Sequence, residues 1–260
     1  MANARPVMLI VGAGPGMGRA VARLATQRGF DLALVARSGG TLEETAALLR
    51  EEGGEVLCLP CDATDNAAMR GVVDAVIDRF GRLDALVHSL LPPHLFRRIV
   101  GMDDDEIEAW RRSVEISTYG ALLAAYHAAR PMQAAGRGTM VFVTATSGLQ
   151  SYPAISSHAV GKAGIHALMQ SAASEFGSFG VRANAIAVGV ITGETTKTRQ
   201  PHEDQAVEAD LARAVDASGG ALGRNITAWE AAEAVLFLAT DASSGMTGQI
   251  VVVDGGRLFH

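Results

Sequence analysis

Glycines at positions 12, 14, 16 and 18 stand directly after the apolar run Val7 to Val11. They stand directly before an amphipathic stretch with Ala20, Val21, Leu24 and Ala25 on one face. The apolar run fits a strand buried on both faces, and the stretch after it reads as a helix. A strand that turns through glycines into a helix leaves backbone N–H groups pointing outward at the positive end of the helix dipole. That end suits a pyrophosphate, and a Cβ there would block its approach. Gly12, Gly14, Pro15, Gly16, Met17 and Gly18 are therefore the candidate phosphate-binding residues. Glycine loops recur by chance, so the position after the first strand carries the argument.

The elements that must position this loop follow from the alternation along the chain. Short apolar runs fall at Val7–Val11, Leu32–Ala36, Glu55–Leu59, Ala85–His88, Thr139–Val143, Arg182–Ala187 and Gln249–Val253. Helical patterns lie between them, near 16–28, 41–52, 65–80, 103–134, 157–178 and 228–239. Strand and helix in alternation imply parallel strands joined by right-handed crossovers. The expected fold is α/β: a Rossmann-type, doubly wound, mostly parallel seven-stranded sheet with helices on both faces, one domain over residues 1–260. Asp65 and the pair Asp103-x-x-Glu106 read as helix caps, the second as a capping box. Residues 189–224 break the pattern. A long polar stretch inside a compact domain is expected to be a substrate loop or lid, with Glu203 to Val215 as a possible lid helix.

Composition narrows the function. The chain has 260 residues, 48% hydrophobic content and a net charge of -6, enough for one large core. No Lys/Arg run points to nucleic acid, and no apolar stretch approaches a membrane span. The first residues lead straight into a strand, and we expect a cytoplasmic protein. Cys58 and Cys61 sit at a strand end with no second pair to complete a zinc site, so they read as small buried hydrophobes and no metal is expected. Asn225-Ile-Thr227 matches a glycosylation sequon but means nothing without secretion.

The second strand ends in Ala36-Arg37-Ser38. An acid at position 36 would bind ribose hydroxyls and repel a 2′-phosphate, whereas Arg37 can pair with that phosphate and stack on adenine. The expected cofactor is NADP (NADPH), with Arg37 and Ser38 at its 2′-phosphate.

Gly12-x-x-x-Gly16-x-Gly18 and several later landmarks, taken in order, resemble the short-chain dehydrogenase/reductase family over essentially the whole chain. The resemblance implies that Asp62 and Ala63 meet the adenine. It places His88-Ser89-Leu90-Leu91 where most members have Asn-Asn-Ala-Gly, which makes Ser89 and Leu90 cofactor contacts. The His-Ser variant is similar to the enoyl-acyl-carrier reductase branch. The same resemblance makes Thr144 and Gly189 cofactor contacts and sets Val190, Ile191 and Thr192 at the nicotinamide carboxamide, although Val188 replaces a proline and the usual threonine falls at Gly193. The last helix and strand, with Leu222-Gly-Arg224 and Gly248 to Gly256, match closely, and the resemblance implies a homotetramer or dimer.

The catalytic positions depart from the family. Its Tyr-x-x-x-Lys becomes His158-Ala-Val-Gly-Lys162, its substrate-orienting Ser falls on Ala145, and its Asn falls on Ser117. Four residues along a helix place His158 and Lys162 on one face. Imidazole titrates near neutral pH, and a neighbouring cation favours its neutral form. Three readings are open. His158 can replace the Tyr as proton donor and acceptor, with Lys162 retained, Ser117 holding a water, and Thr146 or Ser147 holding the carbonyl oxygen of a small carbonyl, alcohol or enoyl substrate. The fold can bind NADP while serving another reaction, such as isomerisation or dehydration. It can be a non-catalytic binding or regulatory protein. The enoyl reductases' Tyr, seven residues before the Lys, falls on Ile155, and Tyr119 and Tyr152 read as packing residues.

Overall fold

The computed structural model describes residues 5–93, 95–192, 205–215 and 220–259. Seven strands form one sheet: β1 Val7–Val11, β2 Asp31–Ala36, β3 Val56–Pro60, β4 Ala85–His88, β5 Gly138–Ala145, β6 Val181–Val188 and β9 Ile250–Val253. Their order is β3-β2-β1-β4-β5-β6-β9, and every pairing is parallel. A separate two-stranded ladder joins β7 Ile191–Thr192 to β8 Ile226–Thr227. All five residues of β1 are buried, as a central parallel strand covered on both faces requires.

The helices are α1 Met17–Gln27, α2 Gly39–Glu51, α3 Asn66–Phe80, α4 Asp104–Ala135, α5 Ser156–Phe176, α6 Gln205–Val215 and α7 Ala228–Leu238. Side-chain alternation along the strands feeds two separate cores. Leu9, Leu86, Met140 and Phe142 pack with Met69 and Val72 of α3, Met132 of α4 and Ile165 of α5. Met8, Ile10, Leu34 and Val141 pack with Val21 of α1, Leu42 of α2 and Val235 of α7. So α3, α4 and α5 cover one face, and α1, α2 and α7 the other.

Local chemistry sets the helix starts. Asp65 accepts from the Ala68 N–H at 3.0 Å, and Asp103 with Glu106 forms the expected capping box. Sequence expectations of the strands and helices agree to within about two residues, the usual fraying of element ends. The expected lid helix falls on α6, with Glu203 outside the described residues. The ladder of β7 and β8 was not expected from the sequence, because two residues per strand leave no periodicity to read.

The strand order reverses between β1 and β4, where connections leave toward opposite edges of the sheet. Such a switch point opens a crevice at the carboxyl ends of the strands. The glycine loop, residues 88–91, the end of β5 and the start of α5 all gather there.

Candidate active site

The glycine loop is held by the strands on either side. Gly12 and Ala13 N–H groups donate to Val35 O at 2.8 and 3.0 Å. Gly12 has φ +99° and Gly16 φ +91°, a region that favours glycine. A Cβ on Gly12 would lie 2.6 Å from Ser89 backbone atoms, and one on Gly18 would lie 2.2 Å from Gly12 O. These two glycines therefore pack the loop onto β4 and α1. Gly14 differs: a Cβ there would meet nothing within 4 Å, so it faces open space. The N-terminus of α1 has no side-chain cap and no acidic residue in its first turn. Its backbone donors and dipole are thus left for an anion, and the loop fits the pyrophosphate of a dinucleotide.

At the neighbouring edge Arg37 is exposed and Ala36 supplies no acid. Asp62 accepts from the Thr64 N–H at 2.9 Å and the Thr64 hydroxyl at 2.7 Å. Those bonds, with the Arg112 and Arg37 charges, hold its carboxyl below the ordinary range. Arg37 and Asp62 thus share one electrostatic neighbourhood. Ala63 is buried, with a methyl that packs near Gly120 beside Leu90. Ser38 caps α2, its Oγ accepting from the Thr41 N–H at 3.4 Å.

Lys162 occupies the centre. Its side chain crosses from α5 to the sheet, and Nζ donates to Leu90 O at 3.0 Å and Val143 O at 3.2 Å. The residue is 3% exposed, and burial pulls its ammonium down to about 8. His158 lies one turn earlier on the same helix, half-buried. Ser117 of α4 is buried against Gly161: a Cβ on that glycine would come within 2.7 Å of Ser117 Oγ. Gly161 thus lets α4 approach α5 beside Lys162. Ser147 is buried and its Oγ has no hydrogen-bond partner among the described residues; the same holds for Ser157 Oγ, just before His158. An unpaired buried hydroxyl is costly, which fits Ser147 to a role at a ligand. Thr146 is buried beside it.

Other assigned side chains are engaged within the protein. The Thr144 hydroxyl donates to Ile186 O at 2.8 Å, so it must accept from His166 Nε2–H at 2.7 Å. That fixes the His166 tautomer, and burial with the Lys162 charge lowers its basicity. Thr192 Oγ1 donates to Ile226 O at 3.1 Å within the small ladder. Gly189 packs on Asp254: a Cβ would lie 2.7 Å from Asp254 Cβ. Val190 and Ile191 follow at the same edge, half-buried. His88 is fully buried near the Lys162 charge, and neither ring nitrogen has a hydrogen-bond partner among the described residues. Burial, then that charge, pull His88 down to about 3, so it is a neutral imidazole. Sequence reasoning passed over His166 and Ser157. His166 stands four residues after Lys162, a spacing that could have marked it.

Cys58 and Cys61 are free thiols. Burial pushes both up, Cys58 to about 11, the opposite of a reactive thiolate. No helix among the described residues is long and apolar enough to cross a membrane.

With the glycine loop, buried lysine and switch-point crevice in place, comparison with known proteins is decisive. A family profile described as "Enoyl-(Acyl carrier protein) reductase" matches residues 12–257. The chain belongs to the short-chain dehydrogenase/reductase family. It is similar to cis-4-hydroxycyclohexanecarboxylate dehydrogenase of Sinomonas cyclohexanicum, 34% identical over 98% of this chain and 97% of that protein. It is also similar to the trans-4-hydroxycyclohexanecarboxylate dehydrogenase of that organism, 30% identical over 98% of this chain and 93% of that protein. Among solved structures, NAD+-bound xylitol dehydrogenase superposes with TM-score 0.87 at 26% identity, covering 96% of this chain and 98% of that one. As a member of this family the chain is an oxidoreductase, and the family works with nicotinamide cofactors.

Proposed function

We propose that this short-chain dehydrogenase/reductase is NADP(H)-dependent and interconverts a small alicyclic alcohol and its ketone, with His158 as proton donor and acceptor. Buried Lys162 carries the reading: a cation held at the crevice, one helical turn from an imidazole and near the buried Ser147 hydroxyl. The exposed guanidinium of Arg37, with no acid at Ala36, favours the 2′-phosphorylated dinucleotide. Gly12, Gly14, Pro15, Gly16, Met17 and Gly18 would hold the pyrophosphate, Asp62 and Ala63 the adenine. Ser89, Leu90, Gly189, Val190, Ile191 and Thr192 would line the nicotinamide side, with Thr144 supporting it from within β5. Two hydroxycyclohexanecarboxylate dehydrogenases at 34% and 30% identity suggest the substrate class. Residues 189–224 are the substrate loop in this reading, with 193–204 and 216–219 outside the described residues.

When bound, the nicotinamide supplies or accepts the hydride. In oxidation, His158 takes the hydroxyl proton of the substrate; in reduction, it returns one to the carbonyl oxygen. Ser147, with Thr146, holds that oxygen by hydrogen bonding. Lys162 binds the cofactor ribose and places positive charge beside the reacting groups, and Ser117 holds a water that connects the site to solvent. No redox step is assigned to any side chain.

The test replaces His158 by Phe and, separately, by Tyr, and follows NADP+ reduction with cis-4-hydroxycyclohexanecarboxylate in a panel with ketones and enoyl thioesters. The expected loss with Phe is about 10²- to 10⁴-fold in kcat, the usual value of general acid–base help, with NADPH binding unchanged. Tyr should restore much of it. A Phe variant as fast as the wild type would remove His158 from the mechanism, and turnover of enoyl thioesters alone would replace the substrate class.

A further inference from the structure

Three consecutive residues after β4 tie the site's outer wall together. Phe96 packs with Ile155 against the buried pair Ala154 and Val207, the last from α6. The Arg97 N–H donates to Ala154 O at 3.0 Å, and its guanidinium meets Glu106 at 2.5 Å. The Arg98 guanidinium reaches across to α6 and meets Asp210 at 2.5 Å. Asp210 is a carboxylate with a side chain only 6% exposed, whereas Arg98's is 52% exposed. Ala154, with φ +65°, is the one non-glycine residue of positive φ among the described residues. A buried alanine tolerates that strain only where its surroundings over-determine it. The turn it makes leads into α5, four residues before His158. Val207 therefore packs directly on the wall beside the proposed proton donor.

The pair Arg98–Asp210 joins this strap to α6 through full charges. Burying a carboxylate is costly without a partner cation, so the pair favours the arrangement in which α6 lies against residues 96–98. We propose that Arg98 and Asp210 form a catch that seats α6 on Phe96 and Ile155, and so sets how tightly the site holds the apolar part of its substrate. The catch rests on the proposed function only for the substrate it would hold; its effect on α6 stands alone. Arg98 and Asp210 are positioning residues and touch no reacting atom.

The experiment uses the full chain with Arg98→Gln, Asp210→Asn and the double variant. Hydrogen exchange is read on the peptide spanning 205–215, with the peptide spanning 12–27 as control. Each single variant should exchange about tenfold faster over 205–215, the range expected for losing a half-buried pair, with the control unchanged. The double variant should be no faster than either single one, because both remove the same bond. With cis-4-hydroxycyclohexanecarboxylate and NADP+, the KM should rise about tenfold while kcat stays within about twofold. Unchanged exchange, or effects that add in the double variant, would overturn the catch. A fall in kcat with KM intact would overturn its role in substrate holding. Absence of wild-type turnover would count against the proposed function instead, and the exchange data would still decide the catch.

Discussion

Replacing Lys162 by Met should change how stability depends on pH, and the structure gives the size. The Lys162 ammonium is buried and titrates at about 8 instead of 10.5. In the unfolded chain it keeps its proton to higher pH. Between the two values the unfolded state binds more protons than the folded one, so stability rises with pH. The buried charge therefore costs most at neutral pH, and the penalty fades as the lysine loses its proton. From pH 7 to pH 10 the linkage relation gives a gain of about 2.5 kcal/mol for the wild type. The thioether of the variant cannot titrate, so the variant lacks that gain. Comparing the pH slopes cancels the bonds to Leu90 O and Val143 O, whose loss is the same at every pH in the variant. Urea unfolding of both proteins at pH 7, 8, 9 and 10 would measure it. Parallel stability curves, with the difference constant to within about 0.5 kcal/mol, would refute the claim that Lys162 is a desolvated cation.

Three further outcomes are expected. His88→Asn should flatten acid unfolding: the wild-type imidazole titrates at about 3 folded against 6.5 unfolded, so its contribution is lost as pH falls. The wild type should lose about 3 kcal/mol relative to the variant between pH 7 and pH 4 by denaturant titration, and equal losses would count against a buried neutral His88. Arg37→Ala should weaken NADPH binding about ten- to hundredfold by fluorescence titration while NADH binding stays unchanged, as expected for losing a charge-assisted phosphate contact. Equal weakening of both would refute a 2′-phosphate contact at Arg37. His158→Phe should lose kcat and keep cofactor affinity, as set out above.

Several features are legible in the chain itself. The glycine spacing after an apolar run marked the loop, the alternation of runs implied a doubly wound sheet, and Asp103-x-x-Glu106 announced its helix cap. All three depend on neighbours in sequence, where backbone sterics, dipoles and periodicity act locally. The proposed site residues His158, Lys162, Ser117 and Ser147 could be nominated because family motifs have fixed spacing. Their environments could not. That Lys162 lies desolvated between Leu90 O and Val143 O depends on β4, β5 and α5 meeting, and those segments are far apart in the chain. The neutrality of His88 is likewise a consequence of burial near a cation distant in sequence. The Thr144 hydroxyl is spent on His166 and Ile186 O, a fact about crossed elements that no spacing contains. The pair Arg98–Asp210 joins residues 112 positions apart. Local pattern in the chain nominated the candidate side chains and set the elements that hold them. Only the tertiary structure decided which of them are buried, which are paired and how their protons are held, because desolvation and charge coupling act through space and depend on what the fold brings together.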